Sequence, residues 1–197
     1  MKVAKPVGFM AAGALALACG MAQANEGPSF YAGVGYSHMT YDGIKDYVLP
    51  ITTFHAGVEL TPNLQIEARY GINAGDDEQF YTESDGYYYA SVSETIEATA
   101  YWAVVAKLHL PIGKNFSVYG FGGLNHMSLE SAGKYEETTI TGGYYDYYTF
   151  KGESEETGAT IGVGAQLKLG ESFALTGEYQ KAMDDVSGFN LGLSYRF

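Results

Sequence analysis

Eight stretches of this chain alternate large apolar residues with polar or small ones at a period of two, and no window carries a convincing helical period. They run 29–40, 52–61, 64–74, 96–110, 116–129, 158–169, 173–182 and 189–197. The first sets Phe30, Ala32, Val34 and Tyr36 against Tyr31, Gly33, Gly35 and Ser37; the last sets Phe189, Leu191, Leu193, Tyr195 and Phe197 against Asn190, Gly192, Ser194 and Arg196. In a strand, successive side chains point to opposite faces, so each stretch presents one apolar and one polar face. Only 116–129 breaks step: Phe116 and Val118 are out of phase with Met127 and Leu129, and a bulge at Gly122-Gly123 is the expected cause.

The connections fall into two kinds. Thr61-Pro62-Asn63, Pro111 to Asn115 and Gly170-Glu171-Ser172 have the chemistry of tight turns. Between them lie two long loops, 75–95 and 130–156, and two shorter ones, 41–51 and 184–188. Tight turns therefore gather at one end of the sheet and loops at the other. The net charge of −12 is divided the same way: the four loop segments hold 17 of the 23 acids and only 3 Lys/Arg. Such an acidic surface repels phosphate and excludes nucleic acid as a partner. Residues 1–24 have the layout of a secretory signal peptide, with Lys2 and Lys5, an apolar run from Val7 to Met21 and the small-x-small Ala22-Gln23-Ala24. The expected mature domain is 25–197, exported and cysteine-free, because the only cysteine is Cys19.

Alternation alone would suit a soluble sheet. Three features point instead to a bilayer. Glu59, Glu67, Arg69, Glu97, Lys107, Lys168, Glu178 and Arg196 all fall on the polar phase of the strands. A soluble barrel would turn that phase outward; here the uninterrupted apolar phase has the length of a membrane-crossing strand. Aromatics gather at both ends of the apolar stripes: Phe30, Phe116, Phe173 and Phe197 at the tight-turn end, Tyr36, Phe54, Tyr70, Tyr179 and Phe189 at the loop end. In hydrocarbon only a closed barrel satisfies strand backbones. The expected fold is all-β, an eight-stranded antiparallel up-and-down transmembrane β-barrel.

On these residues, and on the closing run Leu191-Gly192-Leu193-Ser194-Tyr195-Arg196-Phe197, the chain from Asn25 onward resembles the small eight-stranded outer-membrane barrels of Gram-negative bacteria, of the OmpA/OmpX kind. The resemblance implies residence in the outer membrane as a monomer among lipid and lipopolysaccharide. It implies that Tyr195 and Phe197 form the signal read by the outer-membrane assembly machinery; because the chain stops at Phe197, the periplasmic peptidoglycan-binding domain of full OmpA proteins is expected to be lacking.

An eight-stranded barrel is just wide enough to be filled by side chains. The four acids and four bases of the polar phase are therefore expected to form a paired plug, with a narrow gated pore as the alternative. The loops carry Asp76-Asp77-Glu78, Glu136-Glu137, Tyr87-Tyr88-Tyr89 and Tyr144-Tyr145-Asp146-Tyr147-Tyr148. Tyrosine gives large amphipathic contact area at low entropy cost, so Tyr87, Tyr88, Tyr89, Tyr144, Tyr145, Tyr147 and Tyr148 are candidates for binding a host or matrix ligand. The competing reading makes them part of strands projecting past the membrane, since tyrosine favours strands. No loop has metal-ligand spacing, so no metal and no cofactor is expected. His126-Met127-Ser128 resembles the PagL-type lipid A deacylase pair, with Leu129 where that family has Asn. On the expected phase His126 and Ser128 face the lumen or loop base, and the chain is expected not to be an enzyme.

Overall fold

The computed structural model describes residues 28–42, 46–75, 77–84, 87–139 and 145–197; the expected signal peptide 1–24 lies outside the described residues. Among the described residues, nine strands make one antiparallel sheet: β1 (Ser29–Asp42), β2 (Asp46–Thr61), β3 (Leu64–Asn73), β4 (Asp77–Ser84), β5 (Tyr88–Pro111), β6 (Phe116–Thr139), β7 (Tyr145–Leu169), β8 (Phe173–Ala182) and β9 (Val186–Arg196). Pairings run from β3 through β2, β1, β9, β8, β7, β6 and β5, and β5 pairs back with β3, so the sheet closes on itself. β3 pairs with Tyr101–Leu108 of β5 and β4 with Tyr89–Ile96, which makes β3 and β4 two pieces of one stave. Nine strands thus build the expected eight staves. β9 closes on β1 from Tyr31–Arg196 to Tyr41–Val186, and the Phe197 N–H donates to the Phe30 carbonyl at 2.9 Å.

The strand periodicity sets what faces where. Val34, Phe54, Trp102, Val104, Leu108, Ile161, Val163, Leu191 and Leu193 stand exposed on the outer wall, while their chain neighbours are buried inside. Directly opposed residues continue the outer stripe from strand to strand: Phe54 faces Tyr70, Tyr70 faces Trp102, and Trp102 faces His126. A wall this apolar on its outside demands an apolar solvent.

Three expectations are corrected. Among the described residues, 41–51, 75–95 and 130–156, divided off as loops, are largely strand, in line with the reading of strands projecting past the membrane: β5, β6 and β7 run 24, 24 and 25 residues, well over the 9–11 that cross a bilayer. Their upper halves, with β4, form a four-stranded sheet standing above the barrel. Second, β6 has no bulge at Gly122-Gly123; its register with β7 is unbroken from Phe116 to Thr138. The irregularity lies on β5, between Ala98 and Ala100. Third, β6 therefore keeps one phase: Ser117, Tyr119, Phe121, Asn125 and Met127 face inward, so His126 and Ser128 point outward instead of into the lumen. Met127 and Leu129 are inside because the upper lumen is apolar.

The interior is layered. At mid-height lies a charged group, described below. Above it Met39, Leu49, Ile51, Tyr101, Met127, Met183 and Val186 belong to one apolar cluster across the lumen. Bulky inward rings are accommodated by glycines on the neighbouring strand: Phe121 lies over Gly162, and a Cβ at Gly164 would meet the Tyr119 ring at 2.6 Å. The Gly-x-Gly at 162 and 164 is thus a seat for aromatics within a strand.

Candidate functional site

Alternation carries Glu67 and Arg69 inward from β3, Lys107 from β5 and Glu178 from β8, all nearly inaccessible to solvent. Their contacts form a ring of alternating sign. Arg69 Nε meets Glu67 Oε1 at 2.8 Å and Arg69 Nη2 meets Glu178 Oε2 at 2.9 Å; Lys107 Nζ meets Glu67 Oε2 at 2.8 Å and Glu178 Oε1 at 2.9 Å. Each base thus bridges both acids, and Glu178 spans the lumen from the opposite wall. Tyr31 donates to Glu67 at 3.0 Å, Tyr119 to Glu178 at 2.7 Å, and Arg69 Nη1 to Gln180 at 3.1 Å. The Arg69 guanidinium also lies 4.9 Å from the centre of the Phe121 ring. Two acids against two bases, each with further hydrogen bonds, is the arrangement in which buried charge is tolerated.

The other four candidates of the polar phase stand apart. Arg196 Nη2 pairs with Glu59 Oε2 at 2.9 Å at the tight-turn end, in a more solvated setting. Lys168 lines the two small clefts beside them and makes no ion pair among the described residues. Glu97 is taken out of the lumen phase by the β5 irregularity, which buries Ala98 instead, and its carboxylate accepts from Asn73 Nδ2 at 2.8 Å. Tyr195 and Phe197 lie on the outer wall, where Tyr195 packs 5.1 Å from Phe173 and 5.3 Å from Phe197.

Tyr87, Tyr88, Tyr89, Tyr145, Tyr147 and Tyr148 are all exposed on the projecting sheet, and Tyr144 lies outside the described residues. Register brings Tyr89 and Tyr145 to either side of Thr138. Tyr148 stacks on Tyr135 with ring centres 4.8 Å apart. Tyr135 donates to Glu137 at 2.7 Å, and that bond pushes its phenol up to about 12. On the same face, in the row Tyr81–Val92–Tyr135–Tyr148 set by register, Tyr81 is 3.1 Å from Tyr47 of β2, which donates to Glu94 at 2.9 Å; burial, with these bonds, raises the Tyr47 phenol well above the usual value. Aromatic–carboxylate pairs thus recur along the sheet, in the segments that hold most of the acids.

Sequence reasoning missed the apolar upper lumen and the recess at its top, of ≈ 220 Å³, whose floor includes Met127, Leu129 and Met183. The available signal was Met39, Leu49, Ile51 and Val186, which sit on the polar phase of their strands. His126 and Ser128, read as a base–nucleophile pair, share the outer wall. There His126 stacks on Trp102 at 5.4 Å and its Nδ1 is 2.8 Å from the Thr157 hydroxyl, a partner that supplies no negative charge to an imidazolium.

A family model described as outer membrane protein beta-barrel domain matches residues 10–197. Comparison with the curated proteins returned no match. Among solved structures, the chain is similar to Ail, the attachment invasion locus protein of Yersinia pestis, in complex with the heparin analogue sucrose octasulfate: 20% identity over 86% of this chain and 97% of that one, TM-score 0.45. It is similar to the N-terminal β-barrel domain of Pseudomonas aeruginosa OprF, at 16% identity over 86% and 99% with TM-score 0.46. Neisserial surface protein A matches at 14% identity over 87% and 98%, again with TM-score 0.46.

Proposed function

Because the chain belongs to the outer membrane protein β-barrel domain family, we propose that it acts at the cell surface as a non-conducting barrel that binds through its acidic, tyrosine-rich projecting sheet. The lumen carries the argument. A neutral ion ring crosses it at mid-height, and an apolar layer built on Met39, Leu49, Ile51, Met127 and Met183 lies directly above. A passing ion would have to break buried ion pairs and then shed water against hydrocarbon, and each step costs several kcal/mol. The projecting sheet, in contrast, places aromatic area beside carboxylates where partners can reach it.

Whole-cell pull-down tests this reading. The intact barrel is compared with one in which β4–β7 are shortened to tight turns at the barrel rim. Capture of a partner by the intact form, and its loss from a shortened form that still migrates differently boiled and unboiled, is the expected result. Equal capture by both would remove the sheet from the account. Regular single-channel steps in planar bilayers would favour a gated pore instead.

A further inference from the structure

The recess at the barrel mouth has two chemistries. Ile96, Met127, Leu129, Met183 and Val186 make its floor, continuous with the apolar layer beneath. Glu94, which accepts from Tyr47 at 2.9 Å, and Glu156 stand in its wall on the inward phase of β5 and β7, and none of the described residues lining it is Lys, Arg or His. The floor is built by constrained backbone. Met183 sits at φ +69°, a conformation that non-glycine residues rarely adopt, and is held there by its N–H to the Ala159 carbonyl at 3.1 Å. Its side chain packs over Gly158, where a Cβ would come within 2.7 Å of Met183 Cγ. Glu156 lies directly opposite Met127 on the paired strand, so a carboxylate and an apolar thioether share one strand position.

An apolar floor under a wall of carboxylates suits a group with a hydrocarbon stem and a cationic head, the way lysine itself buries its methylenes and keeps its ammonium wet. We infer that this recess binds alkylammonium groups, seating the stem on Met127, Leu129 and Met183 and the ammonium between Glu94 and Glu156. This rests on the surface-binding reading and gives it a ligand chemistry. The same chemistry is carried by free aliphatic amines and by lysine side chains of a partner protein. Anionic ligands are turned away by the same carboxylates.

Methyl NMR of the detergent-solubilised protein labelled at methionine tests the site directly. Met127 and Met183 line the recess, and Met39, in the same cluster but outside the lining, is an internal reference. Hexylammonium should shift the Met127 and Met183 methyls in a saturable way and leave Met39 in place; hexanoate should do neither. Glu156→Gln should weaken hexylammonium binding about threefold to tenfold, the range for partly solvated ion pairs. A peptide with one lysine that shifts the same methyls identifies a protein partner as the natural source, whereas a shift by the free amine alone identifies a small amine. Equal shifts with hexylammonium, hexanoate and hexanol, no shift at all, or binding unaffected in Glu156→Gln would overturn the inference. Cell-surface capture through the sheet without a methyl response would sink this site and leave the surface-binding reading standing; a methyl response without capture would do the reverse.

Discussion

Glu178→Gln is the sharpest test of what holds the barrel closed. The carboxylate meets Arg69 at 2.9 Å and Lys107 at 2.9 Å, and accepts from Tyr119 at 2.7 Å, with its side chain 3% exposed. The amide keeps the shape but leaves Glu67 facing two cations, one buried positive charge in excess. Breaking a buried pair by removing one partner costs about 3–5 kcal/mol. With a urea slope of about 2 kcal/mol/M, the unfolding midpoint should fall by roughly 2 M. Trp102, the only tryptophan, is 41% exposed on the outer wall and reports transfer from lipid to water by its emission. Glu59→Gln is the control: its pair with Arg196 has side chains 14% and 33% exposed, and the change should cost no more than about 1 kcal/mol. Adding Lys107→Met to Glu178→Gln restores neutrality and should recover more than half of the loss. Equal midpoints for Glu178→Gln and Glu59→Gln, or no recovery in the double variant, would refute the claim that a closed charge ring stabilises the barrel.

Three other outcomes follow from the geometry. Gly164→Val puts a Cβ 2.6 Å from the Tyr119 ring and should cost about 1–3 kcal/mol by urea titration, whereas Gly120→Ala, whose Cβ meets nothing nearer than 3.9 Å, should be nearly neutral. The Tyr135 phenol, raised to about 12 by Glu137, should titrate nearer the ordinary tyrosine value in Glu137→Gln, followed by NMR of ring-labelled tyrosine. Because its folded value lies above the unfolded one, the hydrogen bond is fully present below about pH 10 and is lost as pH rises through 12; stacking of Tyr135 on Tyr148 should loosen in that window. Phe197→Ala removes a ring packed 5.3 Å from Tyr195 and should lower the fraction of heat-modifiable protein assembled in cells more than the fraction refolded in detergent.

The outer wall was legible because lipid tolerates no interruption: Val34, Phe54, Val104, Val163 and Leu191 repeat at two wherever a strand crosses. Glu67, Arg69, Lys107 and Glu178 could be placed inside for the same reason. That they pair was expected, but which four of the eight would meet could not be read, since Arg69 and Glu178 are 109 residues apart and sit on opposite walls. The apolar upper lumen was illegible because an inward Met127 or Leu129 looks like a lipid-facing residue. That likeness suggested a phase change at Gly122-Gly123, where none exists. The true irregularity falls in Ala98-Thr99-Ala100, three small residues that pattern neither way, and Glu97 was misplaced by it. The long hairpins were legible in their tyrosines, which suit strands, while the acids beside them pulled the division of the chain toward loops.

The charge ring also bears on the order in which the molecule is completed. Arg69 and Lys107 are supplied by β3 and β5, and the second acid arrives only with β8. A barrel assembled as far as β6 would hold one carboxylate against two cations, a stranded positive charge on a half-built wall. Docking of β8 cancels it and, through Tyr119, ties the two halves together. The last hairpin therefore brings a neutralising partner as well as an edge, and an intermediate that stops short is penalised electrostatically as well as by its unpaired strands.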